Sequence, residues 1–287
     1  MKRPVARDIQ SDEENMRSQA DKAALFVKLH EGPTFIIPNP WDIGSARVLE
    51  GLKFQALATS SAAAAATVAK ADGKLTRDEA VAHARAIANS TDLPVSADLE
   101  NGFGDSPEAV AETVRLAGNS GLVGCTIEDT TGNAEHPLYD FTLSVERIVA
   151  AVEAARSLPF PFVLTARTHN FFFPNSSLDE TLQRLHAFEA AGANVLFAPG
   201  LPDLQSVREV CSSLSKPFNF MVGIKGKSFT VPELAEAGVR RISLATSLYR
   251  AAMTGFLDAV REVQSAGQFT FLDNSVATDD VLKLMGI

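Results

Sequence analysis

Pro94-Val95-Ser96-Ala97-Asp98-Leu99-Glu100-Asn101-Gly102-Phe103-Gly104-Asp105-Ser106-Pro107 reads as one structural unit. Residues 94–98 suit a strand, and an acidic, glycine-containing loop follows. Ser106 supplies an N-cap, and Pro107 takes the first helical position, where its missing N–H costs nothing. The spacing predicts a helix over 107–117. The same unit recurs on both sides. Further strand-like runs fall at 34–38, 54–59, 123–128, 162–167, 194–198, 218–222 and 240–244. Most are continuous apolar segments, as expected for parallel strands buried on both faces. Helical stretches at 77–89, 143–157, 177–191, 202–214 and 247–266 lie between or after them. Ala191-Gly192-Ala193 and Ala237-Gly238-Val239 place glycines where helices can end in a left-handed stop. The Ala62–Ala66 run reads as the closely packed start of a helix.

Eight strand–helix alternations predict an α/β fold: one (β/α)8 TIM-type barrel over 1–287. A loose arm at 1–15 leads into a helix near 16–31, and 247–266 supplies the eighth helix. The tail after Gly255 carries Phe256, Leu257, Val260, Phe269 and Phe271, more apolar surface than one barrel helix needs. It is expected at a subunit interface in a homodimer or homotetramer.

The chain has 287 residues, 46% of them hydrophobic, enough for one sizeable core. Lys and Arg number 26 against 35 Asp and Glu, a net charge of −9, which argues against a nucleic-acid partner. No apolar run approaches the roughly 20 residues of a membrane helix. Residues 1–20 lack the apolar segment of a signal peptide. Cys125 and Cys211 lack metal spacing and sit in or beside apolar runs, so both are expected to be buried thiols in a reducing cytoplasm.

In a barrel of this type the site lies at the C-terminal strand ends. The third strand ends at Asp98 and Glu100. Two apart, these point to one side of an extended chain. The fourth ends Thr126-Ile127-Glu128-Asp129. Like charges this close do not all stay ionised in a sheltered site without a cation. An all-oxygen set favours Mg²⁺, with Mn²⁺ as the alternative. Asp98 is expected to be the most direct ligand, with Glu100, Glu128 and Asp72 reaching the ion directly or through water. Asp72-Gly73 also fits an ordinary turn. Arg167 ends the fifth strand and could clamp a substrate carboxylate in two places, or pair with Glu128. Ser60 and Ser61 end the second strand and offer hydroxyl and N–H groups to substrate oxygens. Asn219, in the seventh, is a polar contact or a core hydrogen-bonding group.

Gly226-Lys227-Ser228 ends like a P-loop, but Met221 stands where that motif needs glycine. No lysine occurs between Lys74 and Lys216, which removes a Schiff-base lysine from strands three to six. His136 is the titratable group in the loop after Glu128, as acid/base or as an exposed structural side chain.

Taken together, Ala97-Asp98-Leu99-Glu100-Asn101-Gly102-Phe103-Gly104 and Gly124-Cys125-Thr126-Ile127-Glu128-Asp129 closely resemble the isocitrate lyase/phosphoenolpyruvate mutase superfamily. The resemblance runs from about Asn39 to Ser247. Ser60-Ser61, Asp72 and Arg167 fall at that family's substrate-binding pair, metal-side acid and carboxylate-binding arginine. It implies a Mg²⁺-dependent lyase or decarboxylase acting on a small 2-oxo or 2-hydroxy carboxylate through an enolate, with Arg167, Glu128 and Asp72 in catalytic roles. It also implies oligomers that exchange a C-terminal helix. The family's K-[KR]-C-G-H loop is replaced by Asp129-Thr130-Thr131-Gly132-Asn133-Ala134-Glu135-His136-Pro137, without Cys or Lys. Isocitrate-type cleavage and mutase chemistry therefore do not carry over. The alternatives are C–P bond chemistry, whose phosphoryl site would need Arg167 and the lysines after the seventh strand, and a non-catalytic barrel that binds a metabolite.

Overall fold

The computed structural model describes residues 17–174, 176–227 and 229–287. The arm at 1–15 and Ser228 lie outside the described residues. Eight parallel strands form a nearly closed barrel: β1 (Phe35–Ile37), β2 (Leu57–Ala58), β3 (Val95–Asp98), β4 (Gly124–Glu128), β5 (Val163–Arg167), β6 (Val195–Phe197), β7 (Phe218–Met221) and β8 (Arg241–Ser243). From β2 to β8 each strand pairs with its sequence neighbour, and β1 pairs with β8. At the seam between β1 and β2 the Ala58 N–H donates to the Pro38 carbonyl (3.1 Å). The Asn39 amide donates to the Thr59 carbonyl (2.9 Å) at the same place.

The strands are not the uniformly apolar runs expected from the sequence. Ala97, Cys125, Ile127, Leu164, Ala166, Phe218, Phe220 and Ile242 point outward into the main hydrophobic core. Their neighbours Ser96, Asp98, Thr126, Arg167, Asn219, Arg241 and Ser243 line an interior cavity. Barrel interiors are usually filled by Val, Ile and Leu. Here polar side chains face inward, and the space they leave is the site.

Eleven α-helices occur among the described residues. α1 (Gln19–Glu31) plugs the N-terminal end of the barrel, packing Ala23 and Phe26 against Phe35, Ala56, Val123, Val163 and Val195. α2 (Ile43–Gly51) and α3 (Ser61–Thr67) follow β1 and β2. α4 (Arg77–Ala88) starts in a Thr76/Glu79 capping box. α5 (Pro107–Gly118) has Ser106 as its cap and proline in its first turn, as its sequence dictates. α6 (Phe141–Arg156), α7 (Leu178–Ala191), α8 (Leu204–Ser213) and the short α9 (Val231–Glu236) cover the remaining strands. Gly192 ends α7 at φ +105°, and Gly238 lies just beyond α9 at φ +94°. Both are left-handed stops that a side chain would strain.

α10 (Ser247–Ala266) has the bounds read from the sequence but buries none of its residues. It therefore does not cover the barrel as an eighth helix would. α11 (Thr278–Met285) instead folds back onto α2, where Arg47 donates to the Met285 carbonyl from Nη2 (2.9 Å) and Nε (3.1 Å). Cys125 is fully buried, whereas Cys211 is only half-buried, a correction to the expectation for that thiol. Among the described residues no helix is long and apolar enough to cross a membrane.

Candidate active site

The cavity, about 380 Å³, opens at the C-terminal strand ends and reaches down the barrel interior. Ser60, Ser61, Asp72, Asp98, Arg167, His169, Phe197, Asn219 and Arg241 are among its walls.

Asp98 closes β3. It accepts the Ser61 N–H (3.3 Å) and the Glu100 N–H (3.4 Å). The extended-chain argument for Glu100 fails, because its φ is +51° and the strand has already ended. The chain instead turns tightly, with Gly102 N–H bonded to the Leu99 carbonyl (2.8 Å) and Gly102 at φ +81°. A left-handed non-glycine residue costs energy and persists only where its surroundings hold it. The turn still brings Glu100 within electrostatic reach of the other acids. Burial, then Asp98, Asp72 and Glu128, push its carboxyl up to about 8. Its Oε1 is buried without a hydrogen-bond partner. Asp98 is also raised, by burial first and by Glu128, against the pull of Arg167.

The buried Arg147 braces this loop. Its guanidinium donates to the carbonyls of Gly104 (2.6 Å), Asp105 and Asn101, and lies 4.0 Å from the centre of the Tyr139 ring.

Arg167 closes β5 between two carboxylates. Its Nη1 lies 3.4 Å from Glu128 Oε2 and 3.9 Å from Asp98 Oδ2, with the guanidinium 4.8 Å from the Phe197 ring centre. Arg167 thus makes the ion pair with Glu128 and lines the cavity from the same position. Burial would raise Glu128, but Arg167, His169 and the Thr130 hydroxyl outweigh it and hold the carboxyl well below its usual range.

His169 is a residue that sequence reasoning missed. Its Nε2 lies 3.0 Å from Glu128 Oε2, and its ring meets Phe172 edge-on at 5.1 Å. Its backbone N–H donates to Asp129 Oδ1 (2.9 Å), and Asp129 is anchored by Arg184 (3.2 Å). The available signal was its place two residues beyond Arg167, in Arg167-Thr168-His169. His136, in contrast, is exposed and does not line the cavity.

Ser60 is buried, and its hydroxyl caps α3 by accepting the Ala63 N–H (3.4 Å). The Ser61 N–H is already committed to Asp98. Asn219 is tied on both sides, donating to Ser243 Oγ (3.0 Å) and accepting from Arg241 Nε (2.8 Å). Lys227 donates to the Gly200 carbonyl (3.0 Å), and neither Lys225 nor Lys227 lines the cavity.

A phosphoenolpyruvate phosphomutase family model matches residues 26–264. The chain belongs to this family. A crystal structure from Burkholderia cenocepacia J2315, bearing only a provisional lyase/mutase name, superposes with a TM-score of 0.91 at 46% identity, over 94% of this chain and 97% of that one. The structure of 2,3-dimethylmalate lyase, described as a PEP mutase/isocitrate lyase superfamily member, matches with a TM-score of 0.83 at 28% identity, over 93% and 95% of the two chains. The oxaloacetate decarboxylase of Ectopseudomonas mendocina (strain ymp) is 28% identical over 79% of this chain and 78% of its own length. The family's relatives thus include lyases and a decarboxylase, and the strand-end carboxylates of this chain sit where such a barrel works.

Proposed function

We propose that the protein is a Mg²⁺-dependent carbon–carbon lyase or decarboxylase acting on a small 2-oxo or 2-hydroxy carboxylate. The observation that carries this reading is the charge imbalance at the strand ends. Asp98 and Glu100 are held up toward protonation, and Glu100 Oε1 is buried and unpartnered. A hard cation supplies what these oxygens lack. Among the described residues no three acidic, His or Cys side chains form a ready-made ligand set. Mg²⁺ keeps several waters and can be held by one or two carboxylates directly. Asp98 is the natural direct ligand, with Glu100, Glu128 and Asp72 around it. When bound, Mg²⁺ supplies Lewis-acid polarisation of the substrate carbonyl; Mn²⁺ would serve in the same way.

The chain's own residues do the rest. Arg167 anchors a carboxylate by two parallel N–H bonds and keeps the scissile bond in line with the carbonyl π system. Glu128 fixes Arg167. The Glu128 Oε2 and His169 Nε2 atoms, 3.0 Å apart, provide a place to hold a proton at the cavity wall. Phe172 and Phe197 keep water from one side. C–P chemistry is weakened because neither Lys225 nor Lys227 lines the cavity. The uncovered α10 supports assembly into a homodimer or homotetramer through that helix.

The test is turnover of oxaloacetate and a panel of 2-oxo acids with and without Mg²⁺. Mg²⁺-dependent product is expected. Binding without turnover of any member would leave a metabolite-binding barrel. A light-scattering mass of one chain at micromolar concentration would remove the assembly.

A further inference from the structure

One layer below Arg167 lies a buried arginine that the proposed chemistry does not use. Arg241 begins β8 and points into the barrel. It is 4% exposed, and among the described residues no Asp or Glu stands within ion-pair distance of it. Its three partners are neutral. Nε donates to Asn219 Oδ1 (2.8 Å), Nη2 to Thr165 Oγ1 (2.9 Å), and Nη1 faces His30 Nε2 at 3.4 Å. His30 Nδ1 lies 2.7 Å from the Phe26 carbonyl, which takes the ring proton and leaves the Nε2 lone pair toward Arg241. Burial, then the Arg241 charge, push the His30 imidazole down to about 3, so it stays neutral.

An unpaired charge withdrawn from water is among the most expensive things a fold can carry. Here the fold orients that charge with three acceptors and leaves it facing an open cavity. A guanidinium has five N–H donors. Three are used, so one N–H remains on each Nη nitrogen to donate to an anion. Thr165, which holds Arg241, is two residues before Arg167 on β5. Thr165 and Arg167 lie about 6–7 Å apart along that strand, so the Arg241 guanidinium sits against the wall of the same cavity below Arg167. Ser96, Thr126 and Ser243 add hydroxyls to the same walls.

We propose that Arg241 forms the floor of a second anion subsite, which receives the distal carboxylate of a small dicarboxylate whose other end is held at Arg167. This rests on the proposed reaction and narrows its substrate class from carboxylates in general to dicarboxylates.

Binding, measured apart from turnover, decides it. The full chain with Mg²⁺ is titrated calorimetrically with malonate, succinate and glutarate, and with acetate and pyruvate. At least one dicarboxylate should bind tenfold or more tightly than pyruvate. Arg241→Met should abolish that advantage while leaving pyruvate affinity within about twofold. Its melting temperature without ligand should not fall, because the variant removes a buried unpaired charge. Unchanged dicarboxylate affinity in the variant, or equal losses for pyruvate and dicarboxylates with a lowered melting temperature, overturns the subsite. If the variant does not fold, the His30 imidazole NMR signals of the unaltered chain serve instead. They should move with the dicarboxylate and not with pyruvate. No movement, or equal movement with chloride or sulfate, overturns the assignment. Arg241-dependent binding without turnover of any 2-oxo acid would sink the proposed reaction and leave the subsite standing.

Discussion

Two arginines of the same cavity, one layer apart, face opposite electrostatic problems. At the mouth, Arg167 lies among Asp98 and Glu128, with Glu100 and Asp72 nearby, and there is more negative charge than one guanidinium can balance. At the floor, Arg241 is held by Asn219, Thr165 and His30, and among the described residues no carboxylate pairs with it. A fold stabilised by its own contacts alone would pair these excesses with each other. They are instead kept a layer apart. The proposed binding of a cation at the mouth and an anion at the floor would answer both imbalances.

Removing the mouth's cation should have the largest effect. Arg167→Ala is expected to lower kcat/KM by roughly ten- to more than a hundred-fold, since charge-assisted bonds contribute about 1.5–3 kcal/mol each. Arg167→Lys keeps the charge but loses the planar fork and should not restore activity. Near-normal kinetics for the lysine variant would reduce Arg167 to an ion-pair partner and erase half of the contrast. The metal side is checked separately: Asp98→Ala should weaken Mg²⁺ or Mn²⁺ binding at least tenfold by calorimetry, on the scale of one lost direct ligand.

Stability effects come next. Arg147→Ala strips the donors from three carbonyls in the loop that carries Glu100. A loss of about 3 kcal/mol or more in urea unfolding is expected, the scale for breaking a buried charged network. A change under 1 kcal/mol would mean that the left-handed turn holds itself. The floor should show in acid. His30 is depressed from 6.5 to about 3, so below pH 6.5 the unfolded chain binds a proton that the folded chain refuses. Stability should therefore fall as pH drops from 6.5 toward 3, by up to about 1.4 kcal/mol per pH unit from this group. His30→Gln should flatten that slope, and an unchanged slope would place the acid sensitivity elsewhere. The smallest effect is expected at the exposed Lys70–Glu79 pair near the rim (2.5 Å). Lys70→Ala should leave the melting temperature unchanged within error, because solvent screens such pairs.

Much of this molecule was legible in its residues. The eight strand–helix units, the Ser106-Pro107 start, the Gly192 and Gly238 stops and the strand-end acids are local features, set by backbone sterics and hydrogen bonding within a few residues. They fixed a barrel with Asp98, Glu128 and Arg167 at its mouth. The tertiary structure alone decided what depends on closure. Inward and outward faces exist only once the ring forms, so strands that read as apolar runs proved to carry Ser96, Thr126, Asn219 and Arg241 on the inside. Glu100 reached the site through a left-handed turn rather than by strand alternation. His169 met Glu128 across two strands, and Arg241 met His30 across 211 residues of sequence. Whether an arginine is paired is a question of which charges share its few ångströms of low-dielectric space, and no spacing along the chain carries that information.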